Sequence, residues 1–201
     1  LASGEIRAGL ALTEPNAGTD LQAIRTTAVR DGDDYVINGT KTWISNAIKG
    51  SCFALLVKTD SKADPRYKGM SLFIAPKQEG FTVGKKFDKL GYKAIDSAEL
   101  IFDNYRLPAE NLIGGVEGQG FFQATGGLEL GRINVAARGV GLADGSLRLA
   151  TEYAQLRQTM GKPIADHQAI QLKIGEMVTR ARAARLLTLD AAEAYERGAR
   201  C

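Results

Sequence analysis

The sequence predicts an α+β chain of two parts, an antiparallel β-barrel or β-sandwich followed by long helices of an up-down helical bundle. In the first half, short apolar runs are separated by Pro and Gly turns, with no helical pattern between them. In the second half, apolar residues recur at helical spacing over many turns. The change falls near Leu112–Gly115, so we expect a β domain over residues 1–114 and a helical domain over residues 115–201.

The β half opens with an apolar run over residues 10–12 that breaks into a polar loop. An Asn-Gly pair at residues 38–39 lies between β-favouring residues and predicts a hairpin turn. Further strands are expected at residues 52–57, 70–75, 81–83 and 98–102. No helical pattern separates these strands and no Gly-x-Gly-x-x-Gly follows one, which argues against a parallel dinucleotide-binding sheet.

Two long helices are expected in the second half. The first runs from about Gly118 to Leu156, and its six interior glycines, each costing about 1 kcal/mol relative to Ala, predict very close backbone approach there. A break at residues 161–163 separates it from a second helix, which starts near Ala165 and continues to the end of the chain. One face of the second helix carries an Ala-rich apolar stripe that suits close helix packing. The stripe consists of Ile170, Ile174, Met177, Ala181, Ala184, Leu187 and Ala191.

The composition is that of an ordinary globular protein, with 44% hydrophobic residues, 24% charged residues and a net charge of +3. The densest basic cluster, Lys85, Lys86 and Lys89, is short and is interpreted as a solvated face, so no nucleic-acid partner is expected. No apolar run approaches the roughly 18 residues that cross a membrane, and no segment resembles a signal peptide. Cys52 lies in an apolar run and is expected to be a buried free thiol.

The two ends of the chain indicate a piece of a longer protein. Residue 1 is Leu rather than Met, and the chain stops inside a helical pattern at Arg200-Cys201. The chain has two cysteines and no recognisable targeting segment. The reducing cytoplasm is therefore the expected location.

The most informative segment is the loop that follows the first apolar run, Thr13–Asp20. Pro15 fixes one φ angle and Gly18 permits conformations that other residues avoid. Hydroxyl and backbone N–H groups exposed after a strand are suitable for holding a phosphate or a polar heterocycle. A plain surface turn is the alternative interpretation.

Several further motifs accompany this loop in a fixed order. They are Leu10–Asp20, Trp43-Ile44-Ser45, Gly118-Gln119-Gly120-Phe121, Arg132, Tyr153–Ile164 and His167-Gln168. In order and spacing they resemble the acyl-CoA dehydrogenase family over essentially the whole chain. The resemblance implies a fragment containing the middle β domain and the first two helices of the C-terminal bundle. It also implies an FAD-dependent enzyme that oxidises an acyl-CoA thioester to its trans-2-enoyl form, with hydride transfer to flavin N5.

By this resemblance, the loop and the Trp43 segment hold FAD. Thr13 is expected to bond the polar edge of the flavin, and Thr19 to face both flavin and the CoA arm. Trp43, the only Trp, is expected to pack on the flavin, with Ser45 near its N5 and O4 edge; the alternative is a core Trp. The full expected cofactor set is Leu10, Leu12, Thr13, Gly18, Thr19, Trp43, Ile44, Ser45, Arg157, Gln158, Thr159, His167 and Gln168.

The resemblance places the CoA end of the substrate against Thr19, Glu129 and Arg132; a surface ion pair between Glu129 and Arg132 is the alternative. Arg132 and Arg157 are 25 residues apart, about 37 Å in one continuous helix, so they cannot easily reach the same flavin. The family resolves this by forming dimers or tetramers. In such an assembly, residues 157–159 reach the FAD pyrophosphate of a neighbouring subunit.

No residue of this chain is expected to be the catalytic base. The family places its carboxylate either far downstream or at the position of Gly131, and Glu129 points about 200° away from that position on a helix. The base is therefore expected beyond Cys201, and the chain alone is expected to be inactive. No cluster has metal-ligand spacing. His167 is expected near the FAD, as neither acid nor base.

The expected partners are an acyl-CoA substrate, an electron-transfer flavoprotein or similar acceptor, and further copies of the chain. A eukaryotic member would be placed in the mitochondrial matrix. Three alternatives remain: an acyl-CoA oxidase or related flavoenzyme, a non-catalytic DNA-repair-associated member of the superfamily, and a β-barrel ligand carrier unrelated to flavins. Salt-dependent DNA binding would indicate the second, although the mild net charge argues against it.

Overall fold

A computed structural model describes residues 1–199 of the chain, so Arg200 and Cys201 lie outside the described residues. The chain divides into two compact units, the first covering Leu1–Thr125 and the second starting at Gly126. The first unit contains a large sheet, and the second contains most of the two long helices. The division lies inside the first helix, and the domain boundary expected near residue 114 stays a prediction.

The sheet of the first unit has seven strands in the described residues. They are β1 (Ala8–Ala11), β2 (Thr27–Asp31), β3 (Asp34–Ser45), β4 (Cys52–Lys58), β5 (Met70–Pro76), β6 (Phe81–Lys86) and β7 (Ser97–Pro108). The strand order is β1-β4-β2-β3-β7-β6, with β5 paired to β4. Most pairs are antiparallel, but β4 runs parallel to β1 and meets the start of β2 in parallel. The α+β fold class is confirmed, and its sheet is mixed.

The core of this unit is formed by apolar side chains on the inner face of the sheet. Phe53, Phe73 and Tyr105 are fully buried, and burying a side chain of this kind contributes about 1.5–3 kcal/mol. The strands are therefore a rigid frame for the loops at their ends. Cys52 starts β4 at the margin of this core and is only half-buried, so the expectation of a buried thiol is wrong.

The hairpin expected at residues 38–39 is wrong. The strand β3 continues through Asn38 and Gly39, where its register with β7 shifts at a bulge. Gly39 has a φ of 150°, and a Cβ there would collide with Thr26. The real hairpin joins β2 to β3 through Gly32, whose φ is 65°, and Asp33. An Asn-Gly pair suits a bulge as well as a turn, because both need a residue that tolerates positive φ.

The two helices are α1 (Gly120–Leu156) and α2 (Gln168–Glu196). A short hairpin of β8 (Gln158–Thr159) and β9 (Lys162–Pro163) separates them. The second helix ends at Glu196, and Gly198 follows with a φ of 81°, which is typical of a helix end. The expectation that this helix continues to the end of the chain is wrong for residues 197–199, and residues 200–201 lie outside the described residues. Within residues 1–199, neither helix has the length and apolarity that a membrane crossing requires.

The close approach predicted at the glycines of α1 is not found within the described chain. A Cβ added at any of six of them would meet no atom within 4 Å outside the helix's own nearby backbone. These are Gly126, Gly127, Gly131, Gly139, Gly141 and Gly145. The apolar stripe of α2 is only partly covered, because Ala181 is buried while Ala184 and Leu187 are exposed.

Candidate functional site

The loop after β1 is a closed turn rather than a loose segment. Glu14 and Ala17 exchange two backbone hydrogen bonds, with N···O distances of 2.8 and 3.1 Å. The Asp20 carboxylate accepts from the N–H of Gln22 at 3.1 Å and caps the following helical turn. Gly18 is exposed, and a Cβ there would meet nothing within 4 Å. The turn therefore leaves room for a ligand to approach its backbone closely.

A buried ion pair lies beneath this turn. Lys41 Nζ donates to Glu14 Oε1 at 2.8 Å and to the backbone oxygen of Leu12 at 3.0 Å. The Glu14 carboxylate also accepts from the N–H groups of Arg25 and Thr26, at 2.6 and 3.0 Å, and from the Thr26 hydroxyl at 2.6 Å. Lys41 is fully buried and Glu14 nearly so. Sequence reasoning missed this pair; the one available signal is a charged Lys inside a strand whose other buried residues are Tyr35, Ile37, Thr42 and Ile44.

The electrostatics of the pair follow from its surroundings. Burial by itself raises the pKa of the Glu14 carboxyl, but the Lys41 ammonium and the donors of Thr26 and Arg25 outweigh it, so the pKa lies below its ordinary value. Burial lowers the pKa of Lys41 to about 8, against the opposing effect of Glu14. Both groups are therefore charged at neutral pH.

Trp43 is held out of the core by an irregularity in β3. The register with β7 shifts between Lys41 and Ile44, and Trp43 itself has a φ of 59°, a conformation that is uncommon outside glycine. Its side chain is 56% exposed, whereas Ile44 is buried. The indole stacks on Phe87, with ring centroids 4.0 Å apart and planes 17° from parallel. The alternative interpretation of Trp43 as a core residue is wrong.

The loop and the Trp43 segment are joined directly. The N–H of Thr42 donates to the backbone oxygen of Thr13 at 2.8 Å, so the two segments expected to hold a flavin lie side by side. Thr13 is half-buried, whereas Ser45 is exposed at the end of β3. Strained backbone at Trp43 beside a constrained loop is typical of a functional site.

The turn that follows Ser45 is fixed by side chains that sequence reasoning did not single out. The Asn46 side-chain amide donates to the backbone oxygen of Ala8 at 3.0 Å. The Asp96 carboxylate, which is nearly buried, accepts from the N–H of Ile48 at 2.7 Å. These bonds connect the end of β3 to β1 and to the segment before β7. Ser45 is thereby held at a defined edge of the sheet.

In the second unit, the hairpin between the helices brings several expected residues together. The Thr159 hydroxyl forms a hydrogen bond with His167 Nε2 at 3.0 Å. The turn itself uses Met160 and Gly161, with φ values of 51° and 76°. His167 is the N-terminal capping residue of α2, although its side chain makes no capping bond. The remaining expected residues here, Arg157, Gln158 and Gln168, are exposed.

Glu129 and Arg132 lie elsewhere in the second unit. They line a shallow, mainly apolar cavity of about 370 Å³ between α1 and α2, together with Ile133, Ala136, Leu187, Thr188 and Ala191. No ion pair joins Glu129 to Arg132 in the described residues. Because α1 is continuous from Gly120 to Leu156, Arg132 and the hairpin are separated by about 37 Å of helix. Arg132 and the hairpin therefore belong to two separate candidate sites.

The side chains at the sheet edge fit a flat heteroaromatic ligand with a polar rim. The indole of Trp43 offers an exposed aromatic surface. The turn after β1 carries the hydroxyl groups of Thr13 and Thr19, and the end of β3 carries that of Ser45. Leu10 is 42% exposed next to this region. No group of His, Cys, Asp or Glu in residues 1–199 has a geometry that could hold a metal ion.

Comparison with known proteins identifies relatives for both units. The middle-domain model of acyl-CoA dehydrogenases matches residues 9–105, and the C-terminal-domain model matches residues 118–201. An acyl-CoA dehydrogenase of Bacillus subtilis is 43% identical over 202 residues, covering 100% of this chain and 52% of that protein. The short-chain specific acyl-CoA dehydrogenase of Rattus norvegicus mitochondria is 43% identical, covering 90% of this chain and 44% of that protein.

The fold comparison agrees with the sequence comparison. The structure of butyryl-CoA dehydrogenase from Megasphaera elsdenii superposes with a TM-score of 0.91 at 37% identity, covering 96% of this chain and 50% of that chain. This chain spans about half the length of the relatives described above.

Proposed function

The chain belongs to the acyl-CoA dehydrogenase family, and on that premise we propose that it forms the FAD-facing part of a longer enzyme that oxidises an acyl-CoA to trans-2-enoyl-CoA. The observation that carries this proposal is the pairing of the Thr13–Asp20 turn with an exposed, strained Trp43 on one rigid sheet edge. A core residue would be buried, and a plain surface turn would need no strained aromatic beside it.

The first unit supplies the flavin-facing contacts in this proposal. The hydroxyls of Thr13 and Ser45 bond the polar edge of the ring, and the exposed surface of Trp43 packs against it. Thr19 faces both the ring and the CoA arm. Bound FAD would supply the hydride acceptor for the reaction. The chain's own contribution is orientation: the buried strands hold these groups in place before the ligand arrives.

The second unit supplies contacts to a different copy of the cofactor. Arg157, Gln158 and Thr159 lie in one exposed hairpin, and the bond from His167 orients Thr159. An Arg guanidinium is well suited to a bidentate contact with a pyrophosphate. The helical separation between Arg132 and Arg157 supports a homo-oligomer, in which this hairpin serves the FAD of a neighbouring subunit.

The proposal also assigns the contact to the substrate and the location of the catalytic base. Arg132 binds the CoA end of the substrate, with Glu129 beside it in the cavity between the helices. The carboxylate that removes the α-proton lies outside these 201 residues. Electrons leave through an electron-transfer flavoprotein or a similar acceptor.

The test is an activity assay with matched chains. The 201-residue chain and the longer gene product are assayed separately. Each reaction contains FAD, one of a series of acyl-CoA thioesters and an artificial electron acceptor. We expect turnover only from the longer protein. Turnover by the 201-residue chain would contradict the placement of the base. A longer protein that binds no flavin under any condition would contradict the proposed function itself.

A further inference from the structure

The buried pair Lys41–Glu14 connects the two segments that carry the proposed flavin contacts. Glu14 directly follows Thr13 in the turn, and Lys41 lies two residues before Trp43 in β3. We propose that Lys41 and Glu14 are positioning residues for the cofactor, which fix the turn against β3 so that Thr13 and Trp43 face one ligand. This inference rests on the proposed function.

Four hydrogen bonds meet at Glu14. Its carboxylate binds the ammonium of Lys41, two backbone N–H groups and a hydroxyl, all within 3.0 Å. These donors come from β3 and from the segment of Arg25 and Thr26, which leads into β2. One side chain therefore holds the turn to two neighbouring strands at once.

Lys41 contacts the loop at a second point. Besides Glu14, its ammonium binds the backbone oxygen of Leu12, the residue before Thr13. The next residue, Thr42, binds the backbone oxygen of Thr13 through its N–H. Consecutive residues of β3 thus fix consecutive residues of the loop. The spacing between Thr13 and the Trp43 indole depends on these bonds.

Charged side chains at this position form bonds that apolar side chains cannot make. Removing two charges from water is costly, and apolar replacements of similar volume are often neutral or stabilising. An apolar pair would fill the same space, but it could not bind the carbonyl of Leu12 or the N–H groups of Arg25 and Thr26. Directional hydrogen bonds fix the turn in one position relative to β3. Apolar packing alone would allow the turn to adopt several positions.

The experiment compares three variants with the natural chain. Lys41→Met with Glu14→Gln removes both charges and keeps the volume of the core. Thr26→Val keeps both charges and removes only the hydroxyl that donates to Glu14, and it replaces the double variant if the latter does not fold. The control is Arg106→Met, which removes the surface ion pairs of Arg106 with Asp31 and Asp34 on the same sheet.

Two measurements are made on each variant. Amide hydrogen exchange reports the turn through Ala17, Arg25, Thr26 and Thr42, and it reports the core through the amides of β4. FAD affinity is measured by the quenching of Trp43 fluorescence. For the double variant we expect exchange at the turn to rise at least tenfold and FAD affinity to fall at least tenfold, while β4 keeps its protection. Arg106→Met should change neither measurement.

Two results would contradict the positioning role of Lys41 and Glu14. If the double variant keeps the natural protection of the turn and the natural FAD affinity, the pair has no positioning role. If protection of the turn and of β4 fall together, the pair only stabilises the fold, and the inference is overturned. If the natural chain and the longer protein bind no FAD, the proposed function fails, and the exchange measurement still decides whether the pair fixes the turn.

Discussion

The ionisation of Lys41 predicts an unusual dependence of stability on pH. Its pKa is lowered by burial from 10.5 to about 8 in the folded chain. Below pH 8 both the folded and unfolded states carry the proton, and the folded state bears the full cost of the buried charge. Between pH 8 and 10.5 the unfolded chain keeps the proton and the folded chain releases it. Stability must therefore rise with pH across this interval.

The magnitude follows from the two pKa values. One pKa unit corresponds to about 1.4 kcal/mol, so the full effect of Lys41 is about 3 kcal/mol in the free energy of unfolding. Between pH 7 and pH 9.5, about 2 kcal/mol of this should be recovered. Glu14 acts on the acid side: its pKa is lowered, so its contribution is present above the ordinary carboxyl pKa and is lost as pH falls below it.

The assay is urea unfolding followed by circular dichroism at pH 7 and pH 9.5. The reference is the double variant Lys41→Met with Glu14→Gln, which has neither group and retains every other titrating residue. The natural chain should gain about 2 kcal/mol relative to this reference between the two pH values. An unchanged difference would refute the reasoning, because it would show that Lys41 has the same pKa in the folded and unfolded states.

Two further predictions concern local packing. Phe87→Leu removes the ring that stacks on Trp43. The fluorescence anisotropy of Trp43 should then fall, because the indole gains freedom to move. An unchanged anisotropy would show that Phe87 does not hold the indole. Gly131→Ala should stabilise the chain by about 1 kcal/mol, because nothing lies within 4 Å of its Cβ position, whereas Gly120→Ala should destabilise it by collision with the backbone of Ser71. Urea unfolding of both variants measures these effects, and the reverse ranking would contradict the packing described.

Regular elements with strong local signals could be predicted from the sequence. The strand at Cys52 and the helix ending at Leu156 are found close to their expected limits, because apolar runs and apolar periodicity determine which face is buried. The hairpin cannot be placed from the sequence, because an Asn-Gly pair is compatible with both a turn and a bulge. The glycines of α1 indicated a need for close contact, but a single helix sequence does not reveal which surface would make it.

Part of the candidate site could be predicted from the family resemblance. The resemblance points to Thr13 and Trp43, and their segments lie side by side in the structure. The Lys41–Glu14 pair was missed because its partners are 27 residues apart and meet only through the folded register. Nothing in the local sequence of either residue specifies the other. The exposure of Trp43 was also undecidable beforehand, since it results from a bulge in β3.

The central claim is that the turn after β1 and the Trp43 segment form one flavin-binding surface. The most direct measurement is a ¹H–¹⁵N NMR titration of the chain with FAD, because Trp43 gives the only indole N–H signal. We predict that this signal shifts with saturation, together with the amides of Thr13, Thr19 and Ser45. Saturating shifts elsewhere in the chain that leave these four signals unmoved would contradict it.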